Sequence, residues 1–202
     1  MRTFSAVAVC GTNLLIGLHY IRLLRRRKIQ PALAMWVFFT MAVIGSLVTY
    51  LCDGDFGLTD NMLNTADLVL CGGVAIAIAV YGERSSRFTR FDTGCLMAVL
   101  VILGAWALTR QHVAAHLAIQ LILVIAYLPV VRRLWKAQRN TESFVMWVGL
   151  LLAPVFSLLS SRGILATVYA VRAIVSTALL LSLMIRIEWR SRTSLPPTSV
   201  RE

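Results

Sequence analysis

Positive charge in this chain falls on every second connection between apolar segments, and that alternation constrains the fold more than any motif does. Seven apolar segments can be drawn along the 202 residues, at about 4–22, 31–52, 61–82, 93–109, 113–131, 144–160 and 164–186. The stretch from Arg22 to Lys28 holds five Lys/Arg, residues 83–92 hold three, residues 132–143 hold four, and the chain from Arg186 onward holds four. The connection from Asp53 to Asp60 holds none and carries three aspartates, and those around Arg110 and Arg162 hold one each. Sixteen of the twenty Lys/Arg thus lie on one side of a seven-crossing chain. Lys and Arg resist translocation, so that side is expected to be cytoplasmic. The reading is an integral protein of the plasma membrane (the inner membrane of a bacterium), N-terminus outside and C-terminus inside.

Composition agrees. The chain is 58% hydrophobic and 14% charged, against about a quarter charged for an ordinary soluble domain. A spanning helix needs about 20 mainly apolar residues, so seven use most of the length and leave no room for a soluble catalytic domain. The net charge of +11 is divided among four connections, with no soluble fold to gather it into a groove. It is therefore expected to face anionic lipid headgroups and not nucleic acid. In the first segment one arginine, Arg2, precedes the apolar run and the basic cluster follows it. That is the reverse of a cleavable signal, so a retained span is expected. Cys10, Cys52, Cys71 and Cys95 form no C-x-x-C pair and read as small packing residues. No metal site and no cofactor is expected. Residues 188–202, with Pro196 and Pro197 among polar residues, are expected to be a disordered cytoplasmic tail.

An internal repeat flanks the fourth segment. Tyr20-Ile21-Arg22-Leu23-Leu24-Arg25-Arg26 matches Tyr127-Leu128-Pro129-Val130-Val131-Arg132-Arg133 at an offset of 107, and Met35-Trp36-Val37 matches Met146-Trp147-Val148 at 111. The expected fold class is an all-α membrane protein of seven transmembrane helices in a 3+1+3 plan. Residues 1–82 and 113–187 form two parallel three-helix repeats, and 83–112 hold a linker helix with its flanking loops. Transporters built this way place the substrate near mid-membrane at the repeat interface.

The segment Tyr127-Leu128-Pro129-Val130-Val131-Arg132-Arg133-Leu134-Trp135-Lys136, followed by Thr141-Glu142-Ser143 and Trp147, resembles the SWEET and PQ-loop superfamily. That superfamily carries Leu-Pro-Gln at the cytoplasmic end of the first helix of each repeat. Pro129 matches its proline and Val130 replaces its glutamine; the first repeat has Ile21-Arg22 there and lacks the motif. Gln30-Pro31 is a reversed dipeptide. The segment Thr89-Arg90-Phe91-Asp92, with Cys95, Trp106 and Thr109, also resembles a group of prokaryotic seven-helix proteins that carry no assigned activity. The resemblance implies prolines as hinges, for which Pro31, Pro129 and Pro154 are the candidates, and it implies architecture before substrate.

Polar groups in hydrocarbon mark the candidate site. A charge at a helix centre costs on the order of 2.5–3.5 kcal/mol on insertion scales, and Asp67 and Arg172 both fall inside apolar segments. At about 1.5 Å per residue they lie roughly 9 and 12 Å from the outer ends of segments that run the same way, so a direct ion pair is feasible. It would be either part of a charged pocket or a structural clamp. Asn13 and Gln120 each precede the repeated tyrosine by seven residues, which makes them equivalent carboxamides offering donors and acceptors to a neutral polar solute or to each other's helices. Trp36 and Trp147 are either interfacial belt residues or an aromatic gate. His116 shares a helix face with Gln120. Gly73, Ala75, Ala77 and Ala79 are expected to pack within the first unit. No nucleophile–base or paired-carboxylate arrangement appears, so an enzyme is not expected. Two functional classes remain: a transporter or facilitator of a small polar solute using alternating access, with Asn13, Gln120, Trp36, Trp147, Asp67 and Arg172 as substrate-binding residues, or a non-transporting receptor, scaffold or assembly subunit. The lipid bilayer is the expected partner, and exposed helix faces leave homo-oligomers open.

Overall fold

Apolar segments can satisfy their own backbone groups only as helices when no water is at hand, and the described elements follow that rule. The computed structural model describes residues 2–29, 33–82, 90–128, 131, 134–135 and 143–193. The helices are α1 (Arg2–Arg25), α2 (Leu33–Leu51), α3 (Met62–Tyr81), α4 (Arg90–Thr109), α5 (His112–Ala126), α6 (Phe144–Ser157) and α7 (Ile164–Thr193), with a 3-10 turn at Leu58–Asn61 before α3. Pro31, Pro129, most of the basic connection at 132–142 and the tail at 194–202 lie outside the described residues. Pro154 sits inside α6.

Local chemistry sets several ends. The Asn61 side chain accepts from the Asn64 N–H at 3.3 Å and starts α3; Ser143 does the same for Met146 at 3.5 Å and starts α6. Such side-chain acceptors supply donors at a helix start with the partner the helix itself lacks. The Gly82 N–H closes α3 on the Ile78 carbonyl at 2.7 Å. Gly163, at φ +78°, turns the chain from α6 into α7, and a Cβ there would lie 2.9 Å from the Phe56 ring.

Seven helices form among the described residues, but the expectation of seven transmembrane helices is corrected in length: three described segments are long and apolar enough to cross a membrane, Arg2–Arg25, Leu58–Tyr81 and Ile164–Arg190. The apolar stretches Trp36–Leu51, Thr93–Thr109, His112–Ala126 and Phe144–Ser157 are shorter. At about 1.5 Å per residue α6 extends only about 21 Å, against a hydrocarbon core of about 30 Å. The chain loosens into turns at Leu158–Ser160, where α6 was expected to continue. A second correction concerns the tail expected from 188. Helix α7 runs on to Thr193, because no helix breaker intervenes before Pro196 and the Arg186 guanidinium packs on the Trp135 ring at 4.2 Å.

Helix α3 packs against both α1 and α2, and α7 packs against both α5 and α6. The two groups meet chiefly through α1 against α6 and α2 against α5, with smaller contacts of α3 on α6 and α7, while α4 covers α2 and α5. Apolar clusters fill each seam: Ile16, Leu70 and Val74 with Met146, Phe38 and Val99 with Ile119 and Leu123, and Val9 and Leu63 with Ala153 and Ala170. The small residues of α3 divide: Ala77 is buried, whereas Gly73 and Ala79 face outward. Alternate positions cannot stay on one face of an element with 3.6 residues per turn. Leu14, Leu15, Leu18, Val69 and Ile76 are also more than half exposed, an apolar exterior that suits lipid.

One end of the bundle is acidic. There the Arg162 guanidinium lies 3.4 Å from the Asp60 carboxylate, the Arg162 backbone N–H donates to the Asp60 carbonyl at 3.0 Å, and the Tyr50 hydroxyl donates to the Arg162 carbonyl at 2.9 Å. The Gly57 N–H, and then Arg162, hold the Asp60 carboxyl below its usual range. These bonds tie the end of α2, the turn before α3 and the turn before α7 together.

Helix α1 lies closely against α6 at Gly149. A Cβ at Gly149 would overlap the Cγ2 of Ile16, a stiff and buried β-branched residue, whereas a Cβ at Gly73 would meet nothing within 4 Å. Gly149→Ala is therefore expected to lower stability by about 1–3 kcal/mol through overpacking, despite the roughly 1 kcal/mol that alanine contributes to helix propensity. Gly73→Ala is expected to be neutral or stabilising. Thermal unfolding of the purified variants in detergent checks the opposite signs.

Candidate functional site

Five helices each contribute a polar side chain to one connected polar chain inside the bundle, hydrogen-bonded except where Arg172 lies on the Tyr169 ring. On α1 the Asn13 amide donates to Asp67 Oδ1 on α3 at 2.9 Å. The other carboxylate oxygen accepts from the Tyr169 hydroxyl of α7 at 2.9 Å. One turn along α7, the Arg172 guanidinium lies over the Tyr169 ring, 4.8 Å from its centroid, and its Nε donates to Gln120 Oε1 on α5 at 3.1 Å. Gln120 Nε2 then donates to the Ser46 hydroxyl of α2 at 2.8 Å.

The direction of the chain can be followed further. The Asn64 amide is satisfied when its nitrogen donates to the Val43 carbonyl at 3.2 Å and its oxygen accepts from Ser46 Oγ at 3.0 Å. Ser46 then accepts from Gln120 and donates to Asn64, so donors run in order from Arg172 through Gln120 and Ser46 to Asn64. His116, fully buried, joins the same knot. Its Nδ1 lies 3.1 Å from the Ser46 carbonyl and 3.2 Å from the Thr49 hydroxyl. A carbonyl accepts only, so Nδ1 carries the hydrogen. Nε2 is left to accept from Gln120 Nε2 at 3.3 Å. This tautomer follows from the partners.

The six residues singled out by sequence fall into two sets. Asn13, Asp67, Arg172 and Gln120 are brought into the chain. Asp67 and Arg172 do not form the direct ion pair that their similar depths made feasible; the Tyr169 side chain stands between them, bonded to one and stacked on the other. Asn13 and Gln120 do not bond each other. Each instead holds a charged residue on the third helix of its own group, Asn13 on Asp67 and Gln120 on Arg172. The tryptophans lie apart from the chain and from each other. Trp36 is buried in the cluster of Ile16, Cys71 and Val74, with its ring 5.3 Å from Tyr20. Trp147 packs with Leu180 and Met184, 6.2 Å from Tyr127. Burial removes the belt role for Trp36. The same tyrosine–tryptophan contact recurs in both halves.

Two buried polar atoms on these residues have no partner, the Asn13 Oδ1 acceptor and the Trp36 Nε1 donor. Tyr169, Ser46 and Asn64 were not anticipated. A tyrosine in an apolar helix reads as core, and serine in an apolar helix reads as a residue bonding its own backbone. The available signal was spacing: Tyr169 and Arg172 are three apart, as are Ser46 and Thr49, and such pairs share a face. Among the described residues no three His, Cys, Asp or Glu side chains converge as a metal site. No protein-family model, curated protein or solved structure matches this chain.

Tyr169→Phe keeps the ring beneath Arg172 and removes one of the two side-chain donors to Asp67. It is expected to cost about 1–3 kcal/mol, the penalty of an under-satisfied buried group. That exceeds the average of about 0.6 kcal/mol for interhelical bonds in membranes, because the acceptor is a carboxylate. Thr109→Val, which removes only a bond to the residue's own helix, is expected to stay within about 0.5 kcal/mol. Denaturation of both variants against the parent measures the difference.

Proposed function

We propose that this chain is a seven-crossing membrane protein of two similarly oriented three-helix units, α1–α3 and α5–α7, joined by α4, which passes a small neutral polar solute between the units by alternating access. The observation that carries the reading is the matched placement of polar groups. In each unit a carboxamide on the first helix holds a charged residue on the third. The neighbour pattern supports the same correspondence: the third helix packs on the first and second in both units, and α1 on α6 mirrors α5 on α2. The charge alternation along the chain supports an outside N-terminus and a cytoplasmic C-terminus. The likeness of the 3+1+3 plan to the SWEET and PQ-loop superfamily points the same way. Alternating access requires an interface with two arrangements, and a chain of hydrogen bonds crossing it can exchange partners without leaving a group stranded. The orphaned acceptor on Asn13 suits a solute that donates, such as a polyol, sugar or amide.

A second reading is a non-transporting receptor or assembly subunit. It is favoured by the extent to which Gln120, Ser46, Asn64 and His116 satisfy one another, which leaves little for a solute to bind.

Proteoliposomes containing the purified chain decide between them. A panel of labelled sugars, polyols, amino acids and amides is expected to include at least one that equilibrates faster than in empty liposomes and shows counterflow. Asn13→Ala together with Gln120→Ala is expected to slow that flux at least about tenfold, the effect of about 1.4 kcal/mol, while the protein remains folded. Absence of counterflow for every class, with the protein correctly inserted, favours the second reading. Reporters at the two termini are expected on opposite sides of the membrane; the same side would refute seven crossings.

A further inference from the structure

We propose that the basic end of α7 holds a binding site for the headgroup of an anionic phospholipid, separate from the central polar chain. A cavity of about 390 Å³ there is lined by Ser182, Ile185, Arg186, Trp189 and Arg190. Residues 182, 186 and 190 are spaced four apart, with 185 and 189 beside them, so all five lie on one stripe of the helix. Along that stripe Arg190 and Trp189 stand nearest the end of the helix, Arg186 and Ile185 about 6 Å deeper and Ser182 about 12 Å deeper, at about 1.5 Å per residue. Two guanidiniums one turn apart beside an indole suit the phosphate of a headgroup at the level where headgroups meet chains.

The cations are placed for a phosphate. Arg186 is fixed over the Trp135 ring at 4.2 Å, and guanidinium forks bind phosphate oxygens in pairs. Trp135 and Trp189 are 60% and 75% exposed, and outward indoles favour the level at which headgroups meet chains. Deeper in the groove Ser182 spends its hydroxyl hydrogen on the Ala178 carbonyl at 2.8 Å, which leaves oxygen lone pairs and no charge. A zwitterionic headgroup would bring its own cation beside two guanidiniums; an anionic one brings none. Basic pockets at the ends of membrane helices bind anionic headgroups on this principle.

The site rests on the membrane reading and not on transport. The test is thermal unfolding of the full chain in a mild detergent with added phosphatidylglycerol, phosphatidylcholine or inorganic phosphate. Phosphatidylglycerol is expected to raise the midpoint, and the other two are not. In Arg186→Gln/Arg190→Gln the phosphatidylglycerol concentration needed is expected to rise about thirtyfold, the effect of two surface cations; in Arg25→Gln/Arg26→Gln it is expected to stay unchanged. Should the first variant fail to fold, Arg186→Lys/Arg190→Lys, which keeps charge and loses the fork, is expected to weaken the response by less. An equal response to phosphatidylcholine or to phosphate, equal losses in both glutamine variants, or an undiminished response in the lysine pair would overturn the site. Recovery of the chain in the soluble fraction would instead overturn the membrane reading itself.

Discussion

A carboxylate and a guanidinium inside an apolar bundle impose the condition that the rest of the packing meets. Neither can be left bare, because an unpaired charge away from water costs several kcal/mol even after relaxation. They are also held apart, with a tyrosine between them. Asp67 therefore takes neutral donors, from Asn13 and Tyr169, and Arg172 takes a neutral acceptor in Gln120 and a ring face. Charge is spread through dipoles instead of cancelled in one contact, and five helices must be in register for every partner to arrive.

That requirement explains why close crossings accompany the polar chain. Helix α7 reaches α3 closely enough for the 2.9 Å Tyr169–Asp67 bond while presenting the buried small residues Ala166, Ala170 and Ala173. Helix α1 lies against the glycine of α6 at residue 149. Small residues let backbones approach where lipid supplies no hydrophobic drive between helices. The acidic end supplies a further constraint, since the Asp60, Arg162 and Tyr50 bonds fix the starts of α3 and α7 relative to each other. The polar chain lies one to two turns farther in.

Much of the site was legible because polar residues are rare in these helices. Asn13, Asp67, Gln120 and Arg172 stand out against apolar neighbours, and the 107-residue offset matched the two carboxamides. Their partners were not legible. Equal depth suggested Asp67 with Arg172, but depth gives no angle around the helix axis, and the angle puts Tyr169 between them. Trp36 and Trp147 occupy matching sequence positions, yet each is enclosed by its own apolar cluster, because neighbouring helices and not spacing decide what an indole touches. Helix α6 ended at Ser157, short of the apolar run, since hydropathy marks what can be buried, not where the backbone turns.

Sequence by itself determined the helical class, the basic and acidic connections, and which residues would be costly to bury. Composition, period and charge are local properties and need no partner to be read. Tertiary structure decided which polar groups meet, the tautomer of His116, the separation of Asp67 from Arg172, and the packing of Arg186 on α7 against the Trp135 ring. Each of these depends on how helices distant in sequence are rotated and offset against one another, and that information resides in the packing of side chains across their seams.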